Sequence, residues 1–120
     1  MRNYRNLEIW KNGIQIVKHT YALAQKLPTT EKFGLKSQIT RAVVSIPSNI
    51  AEGCSRNSDV EFKRFLEIAM GSLFEVETQV TICEELKYLS QEETKEIKIL
   101  LIQEAKMINS LITKIKKANS

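Results

Sequence analysis

The stretch "SDVEFKRFLEIAMGSLFEVETQV", residues 58–80, decides the fold class. It opens on a capping box: Ser58 is placed to accept from the amide of Glu61, and the Glu61 carboxylate to reach back to Ser58. Phe62, Leu66, Ala69, Leu73, Val76 and Val80 then recur at spacings of 4, 3, 4, 3 and 4, which puts all six on one stripe of an α-helix. The pattern persists to about Leu89, so the spacing predicts a helix over 58–89, about 45 Å long at about 1.5 Å per residue. "SQEE", residues 90–93, repeats the capping device and predicts a second long helix over 91–117, with Ile97, Leu101, Ile108, Leu111, Ile112 and Ile115 inward.

Upstream of this pair the same reading continues. Leu35, Ile39, Ala42, Val43, Ile46 and Ile50 share one side of a helix predicted over 32–53, with Thr29 or Thr30 as cap and Gly53 as its stop. A first helix is predicted over 6–27, capped by Asn6 and ended by Pro28, because the residue before a proline is pushed out of helical geometry. It carries two apolar stripes. Leu7, Trp10, Ile14, Val17, Tyr21 and Ala24 read as the core face. Ile9, Ile16, Leu23 and Leu27 lie on nearly the opposite side. Four helices joined by short connections predict an all-α, antiparallel up-down-up-down four-helix bundle, with residues 1–120 as one domain. One small bundle cannot satisfy both stripes of the first helix, so Ile9, Ile16 and Leu23 are expected at an oligomer interface, together with Ile68, Ile82 and Leu86; the alternative is that they pack inside a slightly irregular bundle. On that reading Ile16→Glu leaves a folded but smaller species.

Composition agrees with a helical protein: 2 Pro and 4 Gly leave few breaks, and 42% hydrophobic residues suffice for a core. The net charge of +4 is uneven. Residues 1–64 carry 11 basic and 5 acidic side chains, whereas residues 65–120 carry 7 and 9. A basic half points toward a polyanion. No run approaches the 18 apolar residues of a membrane helix, and "MRNYRNLEIW" lacks the apolar core of an export signal, so a cytoplasmic location is expected. Cys54 and Cys83 are far apart, without CxxC spacing, and read as reduced thiols.

"SIPSNIAEG", residues 45–53, breaks the helical rule. Pro47 lacks an amide and presses on the carbonyl of Val43, at a cost of about 3 kcal/mol in a regular helix. Around it, Arg41, Ser45, Ser48 and Glu52 recur at 4, 3 and 4 on one polar face, with Asn49 on its flank. That face reads either as the solvated side of the helix or as a binding or assembly surface, since sequences break local rules where function compensates. A backward bond from Ser45 or Ser48 to the main chain is expected to ease the bend.

Catalytic and metal patterns are missing. His19 is the only histidine and has no Cys, Asp or Glu at ligand spacing. Paired Glu-x-x-His motifs of di-iron bundles need two histidines. No Gly-rich phosphate loop occurs, and Gly71 with Ser72 reads as a site of close helix packing. The expectation is a non-enzyme with no cofactor and no metal.

The segments "YRNLEIWK", "EKFGLKSQITRAVVSIPSNIAEG" and "SRNSDVEFKRFLEIAMGSLFEVETQV", in this order and spacing, resemble the four-helix-bundle family named for the 23S rRNA intervening sequence. The likeness runs by motif from about Tyr4 to Leu89. Cys54 stands where many relatives would have a small residue. The resemblance implies four antiparallel helices and a homo-oligomer whose known form is a ring of five subunits. It also implies proteins encoded within rRNA gene insertions or elsewhere in bacterial genomes. A role with rRNA or other nucleic acid has been supposed for the family, and the resemblance brings no catalytic residue. Its polar motif maps to Arg41, Ser45, Asn49, Glu52 and Gly53.

Three classes of function follow. The first is a nucleic-acid-binding oligomer using Arg41, Ser45, Ser48, Asn49, Glu52, Arg56 and Arg64, with Tyr4 available for stacking on single-stranded RNA. The second is a structural or adaptor oligomer that binds a protein partner. The third is a small-molecule site at a subunit junction, built from Arg41, Ser45, Asn49 and Glu52. Neither the RNA, the partner nor the subunit number is written in the sequence.

Overall fold

The computed structural model describes residues 2–120. It contains four helices, α1 (Glu8–Ala24), α2 (Leu35–Cys54), α3 (Asp59–Glu85) and α4 (Gln91–Ala118), and no strand among the described residues. Single 3₁₀ turns, Tyr4–Asn6 and Thr29–Glu31, precede α1 and α2. Each helix packs on the next and α1 packs on α4, while the backbones of the diagonal pairs stay apart. This cycle is consistent with a four-helix bundle, and the molecule measures 47 × 23 × 21 Å.

The caps set the starts of α3 and α4. The Ser90 hydroxyl accepts from the Glu93 amide at 3.1 Å, and Glu93 Oε1 accepts from the Ser90 amide at 2.9 Å, a complete capping box. At Ser58 only one half forms: its hydroxyl accepts from the Glu61 amide at 3.2 Å. Neither Thr29 nor Thr30 caps α2; the cap position is Gly34, which has no side chain to offer, and Glu31 Oε1 reaches across to accept from the Leu35 amide at 3.0 Å. α3 ends at Glu85, four residues before the expected Leu89, because Lys87 turns left-handed at φ 63° and the Tyr88 and Leu89 amides fold back onto the Cys83 carbonyl.

Ile16, Val43, Ile46, Ile50, Leu66, Leu73, Val76 and Ile108 are fully buried and form the main core. Each such side chain contributes about 1.5–3 kcal/mol on removal from water. A smaller cluster of Leu27, Leu35, Cys83 and Leu89 fills the end where α2 begins and α3 stops.

The two stripes of α1 exchange roles relative to expectation. Ile9 and Ile16 are 4% and 0% exposed inside the single chain, and Leu23 is half-buried against both apolar clusters. The inward face is Ile9, Gly13, Ile16, Thr20 and Ala24, at spacings of 4, 3, 4 and 4. Leu7, Trp10, Ile14 and Val17 lie half-buried along the flank. Ile9, Ile16 and Leu23 are therefore core contacts and leave no stripe for a partner. Ile16→Glu accordingly places a carboxylate in the core and unfolds the chain rather than dissociating it. Along α3 and just past its end, Ile68, Phe74, Ile82 and Leu86 are exposed.

Gly53 does not stop α2, which continues one residue to Cys54. It is buried because a Cβ there would lie 2.8 Å from Phe65 Cβ and 3.1 Å from Phe62 Cδ1. Gly71, expected at a close helix contact, faces open space within the chain.

Candidate nucleic-acid interface

α2 runs unbroken through Pro47, and its polar face divides along its length. Arg41, Ser48 and Glu52 face solvent, whereas Ser45 and Asn49 turn toward α3 and are half-buried. The Ser45 hydroxyl shares a 2.6 Å hydrogen bond with the Ser72 hydroxyl of α3. Asn49 Nδ2 donates to the Ser45 carbonyl at 2.8 Å and to its hydroxyl at 2.9 Å. Asn49 thus makes the backward bond expected of a serine and holds the Ser45 hydroxyl, whose bond to Ser72 ties α2 to α3 beside the proline. Pro47 itself is buried, with its Cβ 3.3 Å from where a Cβ on Gly13 of α1 would sit.

A groove of ≈ 300 Å³ runs between α1 and the exposed edge of α2, lined by Tyr4, Trp10, Val17, Val44, Pro47 and Ser48 among others. Tyr4 and Trp10 meet edge-to-face at 5.2 Å and 61°. The Arg5 guanidinium lies 5.2 Å from the Tyr4 ring centre and 5.9 Å from that of Trp10.

Pairing sorts the cations of the basic half. Arg2 pairs with Asp59, Lys11 with Glu8 at 3.6 Å, Lys26 with Glu93 at 3.0 Å, Arg56 with Glu52 at 3.4 Å and Lys63 with Glu67 at 3.3 Å. Arg5, Lys18, Lys32, Lys36, Arg41 and Arg64 take part in no ion pair among the described residues. Arg56, expected on the binding surface, is instead half-buried over the Phe65 ring at 4.8 Å, tying the end of α2 to α3. Arg64 stands four residues from both Val60 and Ile68, within the exposed apolar strip of α3 and apart from the α2 face.

The family model of the 23S rRNA-intervening sequence protein matches residues 5–110. The chain belongs to that family. A crystal structure of a protein of unknown function from the S23 ribosomal protein family of Bacteroides thetaiotaomicron is similar to this intervening-sequence family member, with a TM-score of 0.80. Their identity is 24% over 87% of this chain and 97% of that one, a likeness of fold. No curated protein matches the chain.

This family member also holds a residue that the periodic reading passes over. Glu104 of α4 is 0% exposed and lies on the inward line Leu101–Glu104–Ile108. Asn12 Nδ2 donates to its Oε1 at 3.1 Å and to the Leu100 carbonyl at 3.1 Å. Oε2 has no hydrogen-bond partner and sits 3.3 Å from where a Gly13 Cβ would be. Burial pushes the carboxyl up to about 7, against the opposing pull of the Asn12 amide. The seven-residue gap between Leu101 and Ile108 in the apolar series was its signal: a core position must fall between them.

No group of three or more His, Cys, Asp or Glu side chains converges as a metal site among the described residues. None of the described helices is long and apolar enough to cross a membrane. Both cysteines are free and buried, and burial pushes both thiols up.

Proposed function

We propose that this protein is a cytoplasmic, non-catalytic homo-oligomer that binds RNA through phosphate contacts. The observation that carries the reading is the set of cations without carboxylate partners, with Arg5, Lys18 and Arg41 exposed along α1 and α2. The family's name attaches to an rRNA insertion, which accords with an RNA partner. Repetition around an oligomer multiplies a modest charge into an extended positive surface. We infer the up-down-up-down antiparallel order from contacts whose partners run in opposite order along neighbouring helices: Ser45 with Ser72 and then Gly53 with Phe65 between α2 and α3, and Glu84 at the end of α3 with Lys98 near the start of α4. A ring of five is our proposed assembly, by resemblance. Its contact surface is the exposed apolar face of α3 and not α1.

The test is fluorescence anisotropy with a structured rRNA fragment, a scrambled RNA and a duplex DNA across a salt series. Preference for the rRNA that survives physiological salt supports the reading, and Arg41→Ala then weakens binding and lowers the salt slope by about one. Equal binding to all three that vanishes at physiological salt overturns it, and a protein partner that survives nuclease treatment would then identify an adaptor.

A further inference from the structure

We infer that the groove between α1 and α2 is a base-stacking subsite for single-stranded RNA, in which the Tyr4 and Trp10 rings receive a nucleobase and Arg5 and Arg41 receive the flanking phosphates. The inference rests on the RNA-binding reading and gives it an address. Three observations converge on the groove.

The first is its chemistry. Two half-buried aromatic rings and the apolar walls of Val17, Val44 and Pro47 offer a slot for a planar π-system. Stacking on aromatic side chains is the main non-electrostatic handle for an unpaired base. The exposed Ser48 hydroxyl on the same wall supplies a donor and an acceptor for a base edge.

The second is charge. Arg5 lies over the Tyr4 and Trp10 rings. Arg41 stands one helical turn before the lining residue Val44, and Lys18 follows the lining residue Val17. These three cations are exposed and unpaired among the described residues. The neighbouring carboxylates Glu8 and Glu52 are already held by Lys11 and Arg56. An apolar slot between unneutralised cations matches a strand with a hydrophobic base face and an anionic backbone.

The third is what the groove is not. Large exposed apolar side chains, Ile68, Phe74, Ile82 and Leu86, stand along α3 and just past its end, on the helix diagonal to α1. Self-association has a better surface there.

Trp10 is the only tryptophan, so the site carries its own reporter. Intrinsic emission of the full chain is titrated with a single-stranded RNA homopolymer and with an abasic phosphodiester strand of equal length. Anisotropy of the same strands, labelled, is read alongside. The expected result is quenching by the base-bearing strand that saturates with its anisotropy. The abasic strand binds without quenching and roughly tenfold or more weakly. Trp10→Leu, with helical content checked by circular dichroism, brings the base-bearing strand down to the affinity of the abasic one. Binding by anisotropy with Trp10 emission unchanged overturns the subsite and leaves RNA binding standing. No binding of either strand overturns the subsite, and the titration with the structured rRNA fragment separately decides RNA binding. Emission that shifts with protein concentration alone and ignores RNA assigns the groove to a second copy of the chain and overturns the inference.

Discussion

Glu104 occupies a place where its neighbours on the inward line of α4 are Leu101 and Ile108. An ionised carboxylate there loses its water and gains one amide in exchange. Folded, the group holds its proton to about pH 7; unfolded, it releases it near its ordinary value of 4.5. The native state therefore binds more protons than the unfolded state across that window, and the stability this group contributes falls as pH rises from about 4.5 to 7. At about 1.4 kcal/mol per tenfold, the difference corresponds to about 3 kcal/mol. Glu84, held low by Lys98 and Thr94, and Glu93, held low by the Ser90 amide and Lys26, act in the opposite sense and only at more acid pH. The thermal midpoint of the parent chain is expected to fall by roughly 10 °C between pH 5 and pH 8. Glu104→Gln removes most of that fall. Parallel curves for the two proteins would exclude Glu104 as its source.

Near the end of α2, Gly53 packs against α3, and its missing side chain leaves room for Phe62 and Phe65. Gly53→Ala puts a methyl group 2.8 Å from the Cβ of Phe65, which cannot swing away as the far end of a flexible chain would. Gly to Ala in mid-helix ordinarily gains up to about 1 kcal/mol. Here overpacking dominates, and a net loss of about 1–2 kcal/mol is expected in urea unfolding. A variant at or above parental stability would show that the crossing can relax. Helix placement was legible in the sequence because serine caps and 3–4 spacing are local signals. The inward face of α1 was not. Two of its five positions are Gly13 and Thr20, so the face that packs is less apolar in composition than its half-buried flank. Gly13 is small because Pro47 and Glu104 converge on it from two other helices, a constraint invisible in α1 alone. The polar face of α2 was legible as a set, but its division between solvent and Ser72 depends on where α3 lies. The stacking of Arg56 on Phe65 was hidden for the same reason, because the ring comes from the next helix.

Across the whole molecule, apolar side chains remain outside the bundle along α3, with Phe74 57% and Leu86 53% exposed. Exposed apolar side chains of this size make α3 the candidate assembly surface. Phe74→Glu combined with Leu86→Glu is expected to lower the mass in analytical ultracentrifugation while leaving helical content unchanged. Parental mass would remove α3 as the assembly surface. The two ends of the bundle are sealed by different means. Cys54 lies under the Arg2 segment, whose amide donates to the Cys54 carbonyl, and Cys83 is closed in by Leu27, Leu35 and Leu89. Cys83 packs where α2 begins and Cys54 stands where α2 ends, so about 30 Å of helix separates them. They cannot form a bond within one chain. Each thiol becomes reactive only when its own end opens, so the chain carries two separate clocks for local unfolding, one at each pole.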